Sequence, residues 1–118
     1  MKVLLVDDEE EMVSTQAERL SLRGIYADWV TRGLDAINHV YKRKYDVAVL
    51  DAKMPGLSGL ETMKRIQKIQ PGIKVIILTG HGSIAECEAG KDAGACFYLM
   101  KPVNIEDLIE KMREVVEG

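Results

Sequence analysis

Short apolar runs of strand length recur along the chain, each followed by a stretch where apolar residues return at a helical interval. The first run covers residues 3–6 and stops at Asp7-Asp8. Between Glu10 and Arg23, the residues Met12, Val13, Ala17, Leu20 and Leu22 follow a mostly helical period, and Gly24 ends that helix as its C-cap. Residues 26–30 form a second strand, weakened by Asp28. Leu34, Ile37, His39, Val40 and Tyr41 mark the next helix, with a less regular period. Asp46 introduces the run 47–50, which stops at Asp51. Leu60, Met63, Ile66 and Ile69 then fall at helical spacing, and Pro71-Gly72 closes that helix. Residues 74–78 make the fourth strand, ending at Thr79. A short helix over 84–93, a fifth strand over 96–100 and a last helix over 105–116 complete the pattern.

Five strand-then-helix units with continuous apolar strands predict a parallel sheet covered on both faces. Right-handed crossovers leave a doubly wound α/β fold, a three-layer (βα)5 sandwich, as the simplest arrangement. The 118 residues suffice for one domain, 1–118, and no Pro- or Gly-rich linker divides them. At 47% hydrophobic residues the composition is globular rather than disordered. The net charge is −3 and the cations are scattered, so the pattern predicts no direct nucleic-acid contact. The apolar runs are too short to span a bilayer, and no signal peptide is legible. Cys87 and Cys96 carry no metal-ligand spacing and read as reduced, semi-buried fillers. The expected location is cytoplasmic.

The polar residues that close the strands change the picture. The first strand ends in Asp7-Asp8, the third in Asp51, the fourth in Thr79 and the fifth in Lys101. In a parallel sheet these ends share one edge, where open α/β folds place their ligands. Three carboxylates, a hydroxyl and an ammonium would meet there. Clustered carboxylates repel, and a hard cation relieves them, so oxygen ligands point to Mg²⁺. Asp8 and Asp51 are read as direct ligands, with Asp7 acting through water. A carboxylate can also attack phosphorus to give an aspartyl phosphate. Mg²⁺, Lys101 and Thr79 would then each hold one phosphoryl oxygen. Singly, each piece has a plainer use: acids at a helix N-terminus, a turn aspartate, a capping threonine, a solvated lysine.

With those residues assembled, the chain resembles the receiver domain of bacterial two-component response regulators. The resemblance rests on residues 3–9 (VLLVDDE), 49–59 (VLDAKMPGLSG), 78–82 (LTGHG) and 98–102 (YLMKP), and it covers essentially the whole chain. It implies a flavodoxin-like sheet of strand order 2-1-3-4-5 with five helices. It implies phosphoryl transfer from the phosphohistidine of a sensor histidine kinase, or from a phosphotransfer protein, to Asp51, and slow self-catalysed hydrolysis. Asp7 and Asp8 match the family's acidic pair, and the backbone carbonyl of Lys53 matches its third protein ligand for Mg²⁺. Thr79 matches the switch hydroxyl, Tyr98 the aromatic switch position, and Lys101 the lysine that precedes a cis bond, here to Pro102. The segment 79–83 most resembles receivers of transcriptional activators, including nitrogen-regulation and nitrogen-fixation types. Such a domain is either free-standing or a piece of a longer regulator.

The helix over 84–93 has few large apolar anchors and an interior Gly90, with Gly80 and Gly82 before it. That helix, the fifth strand and the last helix are the expected face that reports the switch to an output domain or downstream protein. Phosphorylation-dependent dimerisation through the last helix is a further option of the family. Lys53 and His81 flank the expected phosphoryl site, where they either tune the phosphate's lifetime or point to solvent. Trp29 is expected in the core. A haloacid-dehalogenase-type phosphatase would want its nucleophile after the first strand and a longer chain. A flavin binder would not place acids in its phosphate loop, and no P-loop run exists. The competing reading is a phosphorylation-independent interaction module.

Overall fold

The computed structural model describes residues 1–80 and 97–118. The predicted helix over 84–93, both cysteines, His81, Gly82 and Gly90 lie outside the described residues. Five strands, β1 (Lys2–Val6), β2 (Tyr26–Val30), β3 (Val47–Asp51), β4 (Lys74–Thr79) and β5 (Phe97–Met100), form one parallel sheet of order β2-β1-β3-β4-β5. Four helices are described: α1 (Glu10–Leu22), α2 (Gly33–Lys42), α3 (Gly59–Ile69) and, last, α4 (Ile105–Glu117). The fold is the expected flavodoxin-like three-layer sandwich.

Strand alternation sorts the core into two layers. Val3, Leu5, Val47, Val49, Ile76 and Leu78 face α1 and α4, meeting Val13, Leu20, Leu108 and Met112. Leu4, Val6, Ala48, Leu50, Val75 and Ile77 face the other way, onto Ala36, Val40, Met63 and Ile66 of α2 and α3. Burying a side chain such as Leu108 or Met112 completely contributes about 2 kcal/mol.

Local signals end the elements where the sheet needs them. Gly24, at φ +78, lets its own N–H reach Ser21 and the Ile25 N–H reach Leu20, a Schellman closure that turns α1 into β2. Ser58 caps α3 by accepting from the Glu61 N–H, and Asn104 caps α4 by accepting from Asp107. At the amino-terminal edge, Asp46 joins three strand starts. Its backbone N–H donates to Lys2 and its carbonyl accepts from Lys74, while its carboxylate takes the Lys2 N–H. Beside it Gln70 donates to the carbonyls of Val40 and Arg43 and accepts from the Tyr45 N–H, fastening the α2–β3 connection to the end of α3.

Four expectations are corrected. Trp29 is 37% exposed on edge strand β2 rather than core. Leu34 and Tyr41 point outward, because α2 buries Gly33, Ala36 and Val40 against its neighbours. Leu22 is exposed as well, the buried face of α1 being Val13, Ala17 and Leu20. Asp28 does not merely interrupt β2: its carboxylate accepts from the Tyr45 hydroxyl at 2.5 Å and from Arg43 at 3.1 Å.

Candidate functional site

The register brings the polar strand ends together. Val6 lies beside Leu50, so Asp7 and Asp51 follow side by side; Thr79 pairs with Met100, so Lys101 comes just beyond. Backbone bonds continue the ladder past the strands, from Asp7 N–H to Val30, Ala52 N–H to Leu78 and Lys101 N–H to Thr79. Asp7 is 3% exposed, Asp51 7% and Thr79 1%, whereas Asp8 is exposed. One oxygen from each of Asp7, Asp8 and Asp51 lies within 4.8 Å of the others.

Lys101 is the cation of this cluster. Its ammonium donates to Asp7 at 2.8 Å and stands 3.4 Å from Asp51 and 3.9 Å from Glu9. Burial by itself would lower the Lys101 ammonium, but the Asp7 hydrogen bond and the charges of Asp7 and Asp51 outweigh it and hold it above its ordinary value. Asp51 moves the other way for a carboxylate. Burial, then repulsion from Asp7, push it up to about 6, against the opposing pull of Lys101 and the Lys53 N–H. One lysine does not neutralise the group. Hard oxygen donors with surplus negative charge fit a hard divalent cation.

The remaining predicted residues are distributed around this cluster. Lys53 donates its N–H to Asp51 at 3.4 Å, and its side chain is exposed. Thr79 is the last residue of β4 and belongs to the α2–α3 side of the alternation. Tyr98, half-buried, packs against the same layer. The Lys101–Pro102 bond is cis. The plainer uses are partly met as well, since Glu10 and Glu11 occupy the first turn of α1 and Asp51 accepts a turn N–H. A solvated Lys101 is excluded by its side chain being 18% exposed and ion-paired. Sequence reasoning missed Glu9 as a neighbour of Lys101; its position after Asp7-Asp8 was the available signal. It also missed Gly59, whose space is taken up by the backbone of Asp51.

An open parallel sheet with an acidic cluster and one buried lysine at its carboxyl edge defines the class, an α/β domain that works at its strand ends. The chain matches the response regulator receiver domain family over residues 3–113, and it belongs to that family of two-component signalling domains. It is 33% identical over 116 residues to response regulator MprA of Mycobacterium avium, covering 98% of this chain and 51% of that protein. It is 34% identical over 113 residues to transcriptional regulatory protein TcrA of Mycobacterium tuberculosis, covering 96% and 45%. The chain thus spans about half the length of these curated relatives. A CheY-like receiver domain protein from Methanospirillum hungatei superposes with a TM-score of 0.92 at 29% identity, covering 98% of this chain and 93% of that one. A Burkholderia pseudomallei response regulator, solved with a phosphorylated aspartic acid, calcium ion and citrate, gives 0.90 at 27% identity, covering 98% and 68%. Receiver domains are the partners of histidine kinases. Among the described residues no helix is long and apolar enough to cross a membrane.

Proposed function

We propose that Asp51 accepts a phosphoryl group from a kinase phosphohistidine and that Asp8, Asp51 and the Lys53 carbonyl hold Mg²⁺, with Asp7 acting through water. The observation that carries this reading is the buried Asp51 carboxylate, raised to about 6 and only part-neutralised by Lys101. Such a group gains from a cation and, when ionised, is a nucleophile. A carboxylate oxygen of Asp51 forms the new bond to phosphorus while the phosphorus–nitrogen bond breaks, its electron pair leaving on the imidazole nitrogen. Lys101, already held between Asp7 and Asp51, neutralises one phosphoryl oxygen, and the Thr79 hydroxyl donates to another. Mg²⁺, when bound, supplies charge neutralisation on the remaining oxygen and orients the group. The relative with a phosphorylated aspartate supports the assignment.

Strand alternation supports the switch pair. Asp7, Asp51 and Lys101 continue the parity that faces α1 and α4, whereas Thr79 and Tyr98 fall on the α2–α3 side, with Ile77 opposite Tyr98 in the register. A hydroxyl drawn toward the phosphoryl group leaves space on the side where the tyrosine packs. The output then passes from the β5 and α4 face to a further domain or a downstream protein, inside the cytoplasm. The greater length of the relatives, and the name of transcriptional regulatory protein TcrA among them, favour an output in transcription.

Intact mass after incubation with Mg²⁺ and a small acyl-phosphate donor tests the assignment. One phosphoryl group, labile to hydroxylamine and absent from Asp51→Asn, is expected. Failure of both the donor and a beryllofluoride mimic to bind overturns it in favour of a phosphorylation-independent interaction module.

A further inference from the structure

Gly59 is the first residue of α3 and has no positive φ. Nothing in its own backbone demands glycine, and glycine is a poorer helix former than alanine. Space demands it instead. A Cβ at this position would lie 2.3 Å from the backbone oxygen of Asp51 and 3.1 Å from the Ala52 Cα. Backbone atoms, unlike the end of a flexible side chain, cannot swing aside. The Gly59 N–H meanwhile donates to the Ala52 carbonyl at 3.2 Å.

A second tight approach fixes the same helical turn from its flank. At Gly33, the first residue of α2, a Cβ would lie 2.3 Å from Thr62 Oγ1 and 3.0 Å from Leu57 Cβ. Thr62 Oγ1 is buried with no hydrogen-bond partner among the described residues, so it is held there by packing alone. The connection over 52–58, which carries Lys53, is therefore secured at three points. Ala52 is bonded to β4, Leu57 abuts α2, and Gly59 is pressed on Asp51.

We propose that Gly59 is a positioning residue for Asp51: its missing side chain lets the start of α3 seat against the acceptor's backbone and sets the distance between the Asp51 carboxylate and the Lys53 carbonyl. This rests on the acceptor reading of Asp51. Displacing a ligand shell by a fraction of an ångström weakens both cation binding and transfer. A purely structural glycine would affect only stability.

The test compares Gly59→Ala with Ile66→Ala, which opens a cavity under the same helix away from Asp51. Calorimetric Mg²⁺ affinity, phosphoryl uptake by intact mass and Tm are read for both and for the wild type. Gly59→Ala is expected to lose about tenfold or more in Mg²⁺ affinity and uptake rate. Ile66→Ala, with a Tm at least as low, should keep wild-type affinity. Equal affinity in the two variants overturns the positioning role while leaving the acceptor reading intact. A wild type that takes up neither Mg²⁺ nor the phosphoryl group fails that reading and this inference with it. If Gly59→Ala does not fold, amide exchange in the wild type decides. Protection of the Gly59 N–H that rises with Mg²⁺ saturation supports the coupling, and unchanged protection overturns it.

Discussion

Asp28 in β2 and Asp51 at the end of β3 are both carboxylates set on the same sheet, and their surroundings move them in opposite directions. Burial tends to raise Asp28, yet hydrogen bonds from Tyr45 and Arg43 and the Arg43 charge bring it below its ordinary value. Tyr45, in turn, is buried and held above its usual phenol range, first by that burial and then by its bond to Asp28. The triad is complete. Asp51 is raised by burial and by Asp7, with Lys101 shared between the two acids. A carboxylate whose partners are built into the chain is structural; one left short of positive charge is prepared for a ligand from outside.

The largest expected effect breaks the incomplete half of this comparison further. Lys101→Met leaves Asp7 and Asp51 buried without their cation and should destabilise the metal-free protein at neutral pH by about 3 kcal/mol, with Mg²⁺ restoring part of the loss. Urea midpoints in chelator and in Mg²⁺ measure it; identical midpoints for variant and wild type would contradict the electrostatic account. Next comes the complete half. Asp28→Ala takes the acceptor from the buried Tyr45 hydroxyl and from Arg43 and should cost about 2 kcal/mol, with no response to Mg²⁺.

The last test is a pH trend that separates the two acids in one protein. The folded value of Asp51, about 6, lies above its reference of 3.8, so between them the folded chain holds more protons than the unfolded one. Stability of the metal-free protein from this group therefore falls as pH rises through that window. Asp28 acts with the opposite sign, its contribution present above its unfolded value and lost as pH falls through the depressed one. Asp51→Asn should abolish the first trend and leave the second. Denaturation in chelator from about pH 2 to pH 7 reads both, and a decline above about pH 4 that persists in Asp51→Asn would assign it to another group.

The strand ends were legible because each apolar run stops at a polar residue, and parallel topology then needs no side-chain detail to gather Asp7, Asp51, Thr79 and Lys101. The switch role proposed for Tyr98 comes from family resemblance alone, since an aromatic in a strand has many uses. Asp28 was misread because its partners, Arg43 and Tyr45, arrive from another connection and leave no local trace. The faces of α2 were misjudged for a related reason. Counting hydrophobicity favours Leu34 and Tyr41, whereas close helix packing selects small residues such as Gly33 and Ala36. Gly59 was read only as part of the motif over 49–59, because the Asp51 backbone that occupies its side-chain space leaves no trace in the sequence.

Asp46 and Gln70 bind the amino-terminal ends of three strands and the carboxyl-terminal ends of two helices into one block. Those three strands are in effect beams clamped at that base, and at the opposite, acidic edge the ladder runs on past their tips. A load applied at a tip cannot slide one strand past another without tearing the clamp.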